Sequence, residues 1–367
     1  GAGAAGGGGG GEESVATRVV RLPLSIANAA ALVILLGLAM LGAVFLYKMG
    51  TRQRCACRLC VGEYEIRGKV ASGGFGRVFA VRRVSDGAEL VLKQVPVEDI
   101  NDANEAQVEA KDLRSLHHPR IVRYEDDFMH FVPPSSPGAD ARLYVCIVME
   151  KCEGDLRSVI ETVRQADDTD ASEDARGDEM IPEEDVVKYL VELEEALRHC
   201  HKSGIVHRDI KPQNVFVDGN DDVRLGDFGL CRKVEGKRFA ETTYTEAGTD
   251  TYKAPETILG GRRDARHSDQ WGVGLLLWEL TTRTLAYERD EAIGAQLLQS
   301  PASLAAIIAE VPEVYSHALR RLIERLLHPD PARRPSADDV LRLKFLRTAV
   351  RHERRALHRH RREQRAS

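Results

Sequence analysis

Two short polar motifs constrain this chain more than any other feature. The first is His207-Arg208-Asp209-Ile210-Lys211-Pro212-Gln213-Asn214, and Asp227-Phe228-Gly229 begins thirteen residues after it ends. Together they supply two carboxylates, an ammonium and a carboxamide. Carboxylate and amide oxygens suit a hard divalent cation. Phosphoryl transfer needs such metal ligands, a group that orients the attacking hydroxyl, a cover for the phosphates and a cation on them. Asp209 and Lys211 are candidates for orienting the hydroxyl and holding the transferred charge. Asn214 and Asp227 are candidates for binding Mg2+.

The remaining two parts lie upstream. Tyr64 to Ala71, Arg77 to Arg83 and Glu89 to Val95 read as strands, with Asp86-Gly87 as a hairpin turn between the last two. Val70-Ala71-Ser72-Gly73-Gly74-Phe75-Gly76-Arg77-Val78 joins the first two strands. Its glycines let backbone N–H groups approach phosphate oxygens. A dinucleotide fold would follow its glycines with a helix; here a strand follows. Lys93, on the third strand, is the candidate cation. Glu109, on the next helix with apolar Val108, Leu113 and Leu116, is its candidate partner. Beyond residue 150 the pattern is helical, with Pro182 and Glu183, Glu184 and Asp185 marking a helix start. Strands followed by helices, without βαβ repetition, indicate an α+β fold in two lobes.

Charge narrows the partners. A net charge of -5 over 367 residues argues against a nucleic-acid binder. Residues 167–185 are acidic and 347–365 basic; the acidic run reads as a solvated loop, the basic one as a solvated helix or a segment lying on anionic lipid. The seven cysteines do not suggest a disulfide framework.

The N-terminal region has its own organisation. Residues 1–25 read as a Gly/Ala-rich flexible leader. Residues 26–47, Ile26 to Tyr47, form an uncharged apolar run, whose 22 residues would span about 33 Å as a helix, enough for a bilayer core of roughly 30 Å. A single membrane-spanning helix is expected. Lys48, Arg52, Arg54 and Arg58 place the downstream side in the cytosol; the sequence does not indicate which membrane. The juxtamembrane segment 48–63 holds Cys55, Cys57 and Cys60, for which S-acylation is one reading and unmodified thiols another. Zinc is not expected there, because no fourth ligand lies close in sequence. The chain begins with Gly, so a sensor domain preceding residue 1 would be invisible.

From Tyr64 to Arg347 the motifs resemble the eukaryotic protein kinase family. The resemblance implies a bilobal fold: an N-lobe (64–149) with a five-stranded antiparallel sheet and one helix, a hinge (150–152), a mainly helical C-lobe (153–347) and a basic tail (348–367). It implies ATP and Mg2+ as cofactors and a protein as substrate. Ala71, Ser72, Gly73, Gly74, Phe75, Gly76 and Val78 would cover ATP, with Val91 above the adenine and Met149 behind it. Glu150 and Cys152 would bond the base through their backbones, and Asp155 the ribose. Lys93 would hold the phosphates, Asp209 would act on the hydroxyl, and Thr249 would bond Asp209 and Lys211. Ala254-Pro255-Glu256 closes the activation segment, Arg334 would pair with Glu256, and Asp269 would belong to the central C-lobe helix.

Lys211 and Gly248-Thr249-Asp250-Thr251-Tyr252 resemble serine/threonine kinases. The hinge and Asn214-Val215-Phe216-Val217 resemble the NIMA-related (Nek-type) kinases. Kinases of the translation-initiation stress response, some of them membrane-spanning, share a similar catalytic loop. Thr245 aligns with the family's activation phosphosite, where Arg208 and Arg232 would pair with its phosphate; Thr242, Thr243 and Tyr244 are lesser candidates. Trans-autophosphorylation within a homodimer is compatible with this. Ala71, Val91 and Asp250 depart from the family pattern, and none removes a reacting group. A catalytically dead pseudokinase scaffold is the alternative.

Overall fold

Alternating apolar side chains carry the chain into a twisted antiparallel sheet. A computed structural model describes residues 55–73, 76–134, 140–169, 180–233, 250–260 and 264–366. Its first strands are β1 (Tyr64–Gly73), β2 (Gly76–Arg83) and β3 (Glu89–Val97). Helix α1 (Ile100–Ser115) interrupts them before β4 (Tyr124–Val132) and β5 (Arg142–Glu150). The sheet order is β1-β2-β3-β5-β4, with every pair antiparallel, as expected for the smaller lobe.

Helix α1 starts at a reciprocal cap. The Asp99 carboxylate accepts from the N–H groups of Asn101 (2.6 Å) and Asp102 (3.0 Å), and the Asp102 carboxylate accepts from the Asp99 N–H. Such a cap satisfies donors that would otherwise lack partners. Leu113 and Leu116 are buried as expected, but Val108 is 40% exposed. Ala106, Glu109 and Ala110 make the inward face instead. The demand that Glu109 point at β3 rotates Val108 outward, one residue being about 100° around a helix.

The larger lobe follows a two-residue strand β6 (Gly154–Asp155). It contains α2 (Leu156–Thr169), α3 (Glu183–Lys202), α4 (Arg266–Thr282), α5 (His317–Leu326) and α6 (Arg347–Ala366), besides shorter turns of helix. Pro182 caps α3 as expected. Short strands β7 (Ile205–Val206), β8 (Val215–Val217), β9 (Val223–Leu225) and β10 (Arg232–Lys233) lie between α3 and α4. Trp271 and Trp278 on α4 are fully buried in the core shared with α3 and α5.

Among the described residues no helix is long and apolar enough to cross a membrane. The expected leader and the apolar segment 26–47 lie outside the described residues. Residues 55–63 are described, and they turn back onto the smaller lobe, where Leu59 packs beside Tyr64, Phe79 and Phe128.

Residues 348–366 of the basic segment are no free tail. They fall within α6, which buries Val350, Glu353 and Leu357. Glu353 accepts a two-pronged hydrogen bond from Arg120, at 2.9 Å to Nε and 2.7 Å to Nη2. Arg120 is also 2.6 Å from Asp222 and 3.1 Å from Glu192. Removing one partner of a buried charge pair is costly, because the other stays buried. Glu353→Ala should therefore destabilise the protein by roughly 3 kcal/mol, the low end for such pairs because two acids remain. Thermal unfolding in detergent measures this, and an unchanged melting temperature would count against α6 as an integral part of the domain.

Candidate active site

The β1–β2 turn requires glycine at one point. Gly76 has φ +122, and a Cβ there would lie 2.2 Å from the Gln94 carbonyl oxygen of β3. The turn can thus sit closely over the sheet only without a side chain. Ala71 and Ser72 are exposed at the end of β1, and Gly73 pairs with Gly76. Gly74 and Phe75 lie outside the described residues. Val78 is cross-strand from both Ala71 and Lys93, and Val91 from Met149, so the residues expected around a nucleotide share neighbouring register positions.

Lys93 is buried, and its Nζ donates to Glu109 Oε1 and to Asp227 Oδ1, each at 2.7 Å. Glu109 belongs to the smaller lobe and Asp227 to the larger, so one ammonium joins the lobes. Burial pulls the Lys93 pKa down, but Glu109 and Asp227 reverse this and hold it above the ordinary lysine value. Burial likewise works to raise the Asp227 carboxyl, yet Lys93 keeps it below the usual range. Burial raises Glu109, and Lys93 opposes that only in part. The ammonium 2.7 Å from both acids identifies the trio as a charged cluster.

Asp209 is buried beside this cluster's C-lobe half. Its Oδ2 accepts from Lys211 Nζ at 2.7 Å and from Asn214 Nδ2 at 2.9 Å; Nδ2 also bonds the Asp209 carbonyl at 2.8 Å. That leaves the amide oxygen of Asn214 as the atom it offers a cation. Asp227 is in the left-handed region, φ 57, where the backbone turns into Phe228. Phe228 is buried edge-on to His207, with centroids 5.0 Å apart. His207 Nε2 bonds the Gly226 carbonyl at 2.9 Å, tying the two motifs together.

Asp269 anchors the loop from below. It accepts from the backbone N–H of His207 (3.0 Å) and of Arg208 (2.7 Å), and from His201 Nε2 (2.7 Å). Arg208 thereby holds φ 71, which is uncommon for a residue with a side chain. Burial would raise the Asp269 carboxyl, but the His201 bond and the neighbouring imidazoles hold it low. Gly272 lets α4 approach: a Cβ there would fall 2.7 Å from Ile210 Cβ. The family resemblance points to Asp269, but sequence spacing misses His201 and the structural work of His207, because their partner is more than sixty residues away.

The other expected residues are placed as follows. Glu150 accepts from the Arg123 N–H at 2.7 Å and donates its own backbone N–H to the Arg123 carbonyl at 3.0 Å. Cys152 is half-buried just beyond. Asp155 caps α2, accepting from Ser158 N at 2.8 Å and Oγ at 2.9 Å. Glu256 and Arg334 form a buried two-pronged pair at 2.6 and 2.7 Å, with the guanidinium 5.0 Å over the Trp271 ring. On β10, Arg232 is cross-strand from Val206, two residues from Arg208. Thr245 and Thr249, with Thr242, Thr243 and Tyr244, lie outside the described residues.

An antiparallel lobe and a helical lobe, joined by a lysine that faces the carboxylates of the catalytic motifs, define the protein kinase class. The comparisons agree. The family model "Protein kinase domain" matches residues 64–346, and the chain belongs to that family. It is 33% identical over 291 residues to "Probable serine/threonine-protein kinase nek2" of Dictyostelium discoideum, covering 77% of this chain and 63% of that protein. It is 32% identical over 304 residues to the human "Serine/threonine-protein kinase Nek2", covering 80% of this chain and 62% of that one. The mouse "Serine/threonine-protein kinase Nek11" is 30% identical over 294 residues, or 78% of this chain and 42% of its own length. The chain thus spans less than two thirds of the length of these relatives.

Just before the end of the activation segment, Tyr252 donates to Glu279 Oε1 at 2.6 Å, and the Ala286 N–H donates to the same oxygen at 2.7 Å. Burial pushes the Glu279 carboxyl up to about 8. An unfolded glutamate titrates near 4.3, so the folded form holds the extra proton in between. Its stabilising contribution is fully present at low pH and is lost as pH rises through about 8. The melting temperature should fall between about pH 5 and pH 8, and Glu279→Gln should flatten that fall while matching the wild type near pH 4, below both values. A slope unaffected by the substitution would show that Glu279 is already ionised at neutral pH.

Proposed function

We propose that the protein is an ATP-dependent serine/threonine kinase of the NIMA-related type, transferring the γ-phosphate of Mg-ATP to protein hydroxyls. One observation carries the reading: Lys93 bridges Glu109 and Asp227 at 2.7 Å each, next to Asp209, Lys211 and Asn214. The oxygen donors fit Mg2+. Asp227 offers a carboxylate kept ionised, and Asn214 an amide oxygen, both ligands of hard cations. Mg2+ at these residues would neutralise charge between the β- and γ-phosphates.

The chain's own groups do the rest. Lys93 positions the α- and β-phosphates, with Glu109 holding its ammonium in place. Val78, Val91 and Met149 line the adenine site, backbone groups of Glu150 and Cys152 bond the base, and Asp155 bonds the ribose. Asp209 orients the substrate hydroxyl and accepts its proton, while Lys211 faces the charge on the transferred group. The serine/threonine preference rests on Lys211 two residues after Asp209 and on the names of the relatives. Residues 26–47 would tether the domain, facing the cytosol, to a membrane. Phosphorylation of Thr245, by a second copy of the chain, would activate it through Arg208 and Arg232.

The full chain in detergent micelles should phosphorylate a generic protein substrate on serine and threonine when given Mg2+ and ATP. Asp209→Asn should lower the rate by roughly 10²–10⁴-fold, the usual worth of a positioned proton acceptor, while Mg-ATP still raises its melting temperature. Lys93→Met should lose transfer as well. A wild type as inactive as Asp209→Asn, even after phosphorylation of Thr245, would refute the enzyme reading and leave a scaffold.

A further inference from the structure

Folding brings a fourth ligand to the three juxtamembrane cysteines. His130, near the end of β4, turns its Nδ1 toward all of them. Nδ1 lies 3.9 Å from Cys55 Sγ, 3.3 Å from Cys57 Sγ and 3.6 Å from Cys60 Sγ. The four atoms all lie within 4.8 Å of one another. In a tetrahedral zinc site with Zn–S near 2.3 Å and Zn–N near 2.0 Å, the S–N edges are about 3.5 Å and the S–S edges about 3.8 Å. The three observed S–N edges bracket the first value, and no S–S edge exceeds 4.8 Å.

Hydrogen bonding alone does not account for the arrangement. The Nδ1 of a neutral imidazole has one lone pair, or one proton, and so serves one sulfur well. Three thiols converging on it are a poor hydrogen-bonding scheme and a good coordination sphere. None of the three is in a disulfide. Ligand atoms this close enclose a single ion and leave no room for a cluster with bridging sulfides.

The surroundings hold the ligands in place. The Phe131 N–H donates to Cys55 Sγ at 3.3 Å, a bond that favours a thiolate. The His130 ring stacks on Tyr144, with centroids 6.2 Å apart. The loop bearing the cysteines is closed by bonds from Val61 N to Cys57 O (3.0 Å) and Glu63 N to Arg58 O (2.9 Å). Between Cys57 and Cys60, Arg58 reaches Asp126 on β4 at 2.6 Å and Leu59 packs on the sheet.

We propose that Cys55, Cys57, Cys60 and His130 bind one Zn2+ as a structural site. Binding releases the three thiol protons and leaves a Cys3His centre of net charge −1. The ion pins the segment entering the domain to β4, one of the two edge strands of the sheet. It also occupies the thiols that S-acylation would need. The site stands whether or not residues 26–47 span a membrane; if they do, it fixes how the kinase domain leaves it.

The test is metal content. The full chain, expressed with added zinc and purified reduced in detergent, should carry one zinc per chain. Cys57→Ser and His130→Asn should lose it. Cobalt in place of zinc should give a sulfur-to-metal charge-transfer band and the intense visible absorption of a tetrahedral site. Should His130→Asn fail to fold, His130→Cys decides, since four cysteines still bind zinc: it should fold and keep one ion. Wild-type protein without zinc, zinc content equal in wild type and His130→Asn, a folded His130→Cys lacking metal, or thioester-linked acyl groups on these cysteines would each overturn the proposal. None of these readouts depends on kinase activity, so the site can fail without the enzyme reading failing.

Discussion

A single buried ammonium makes two lobes into one site. Lys93 has no strong reason to enter an apolar sheet by itself, since burying a charge without a partner costs far more than burying a hydrocarbon. Glu109 and Asp227 make its position tenable. Because those acids come from α1 and from the motif after β9, the lysine is well placed only when helix, sheet and catalytic loops are all docked. The ammonium that would hold a nucleotide's phosphates therefore also links the two lobes, which share one apolar core as well.

The larger lobe prepares its half by backbone rather than side-chain strain. Asp269 reaches up from α4 to two successive N–H groups, which fixes Arg208 in a left-handed conformation and presents Asp209. The acid can stay ionised at depth because donors surround it. Gly272 makes the approach close enough. Glu256 and Arg334 do comparable work at the end of the activation segment, and Tyr252 with Glu279 fastens the stretch before it.

Beyond the kinase fold, two extensions are tied back onto it. At the C-terminal end, α6 delivers Glu353 to Arg120, just ahead of β4. At the start of the described domain, the cysteine loop closes on His130, also in β4. Both fastenings combine polar contacts with apolar packing, Val350 and Leu357 on α6 and Leu59 on the cysteine loop.

Within the sequence, the active site was legible because its parts are close in the chain or carried by distinctive local runs. Asp209, Lys211 and Asn214 fall in one loop, Asp227 opens the next, and glycines announce the turn over Lys93. The fold class followed from strands preceding helices. What spacing could not supply were partners that only folding brings near: His201 for Asp269, Glu353 for Arg120, His130 for the cysteines. Apolar character alone did not say that Val108 faces outward, because the direction of a helix face depends on which residue the neighbouring strand requires. Local order is written along the chain. Coordination spheres and buried ion pairs join positions tens to hundreds of residues apart, so only the tertiary structure decides them.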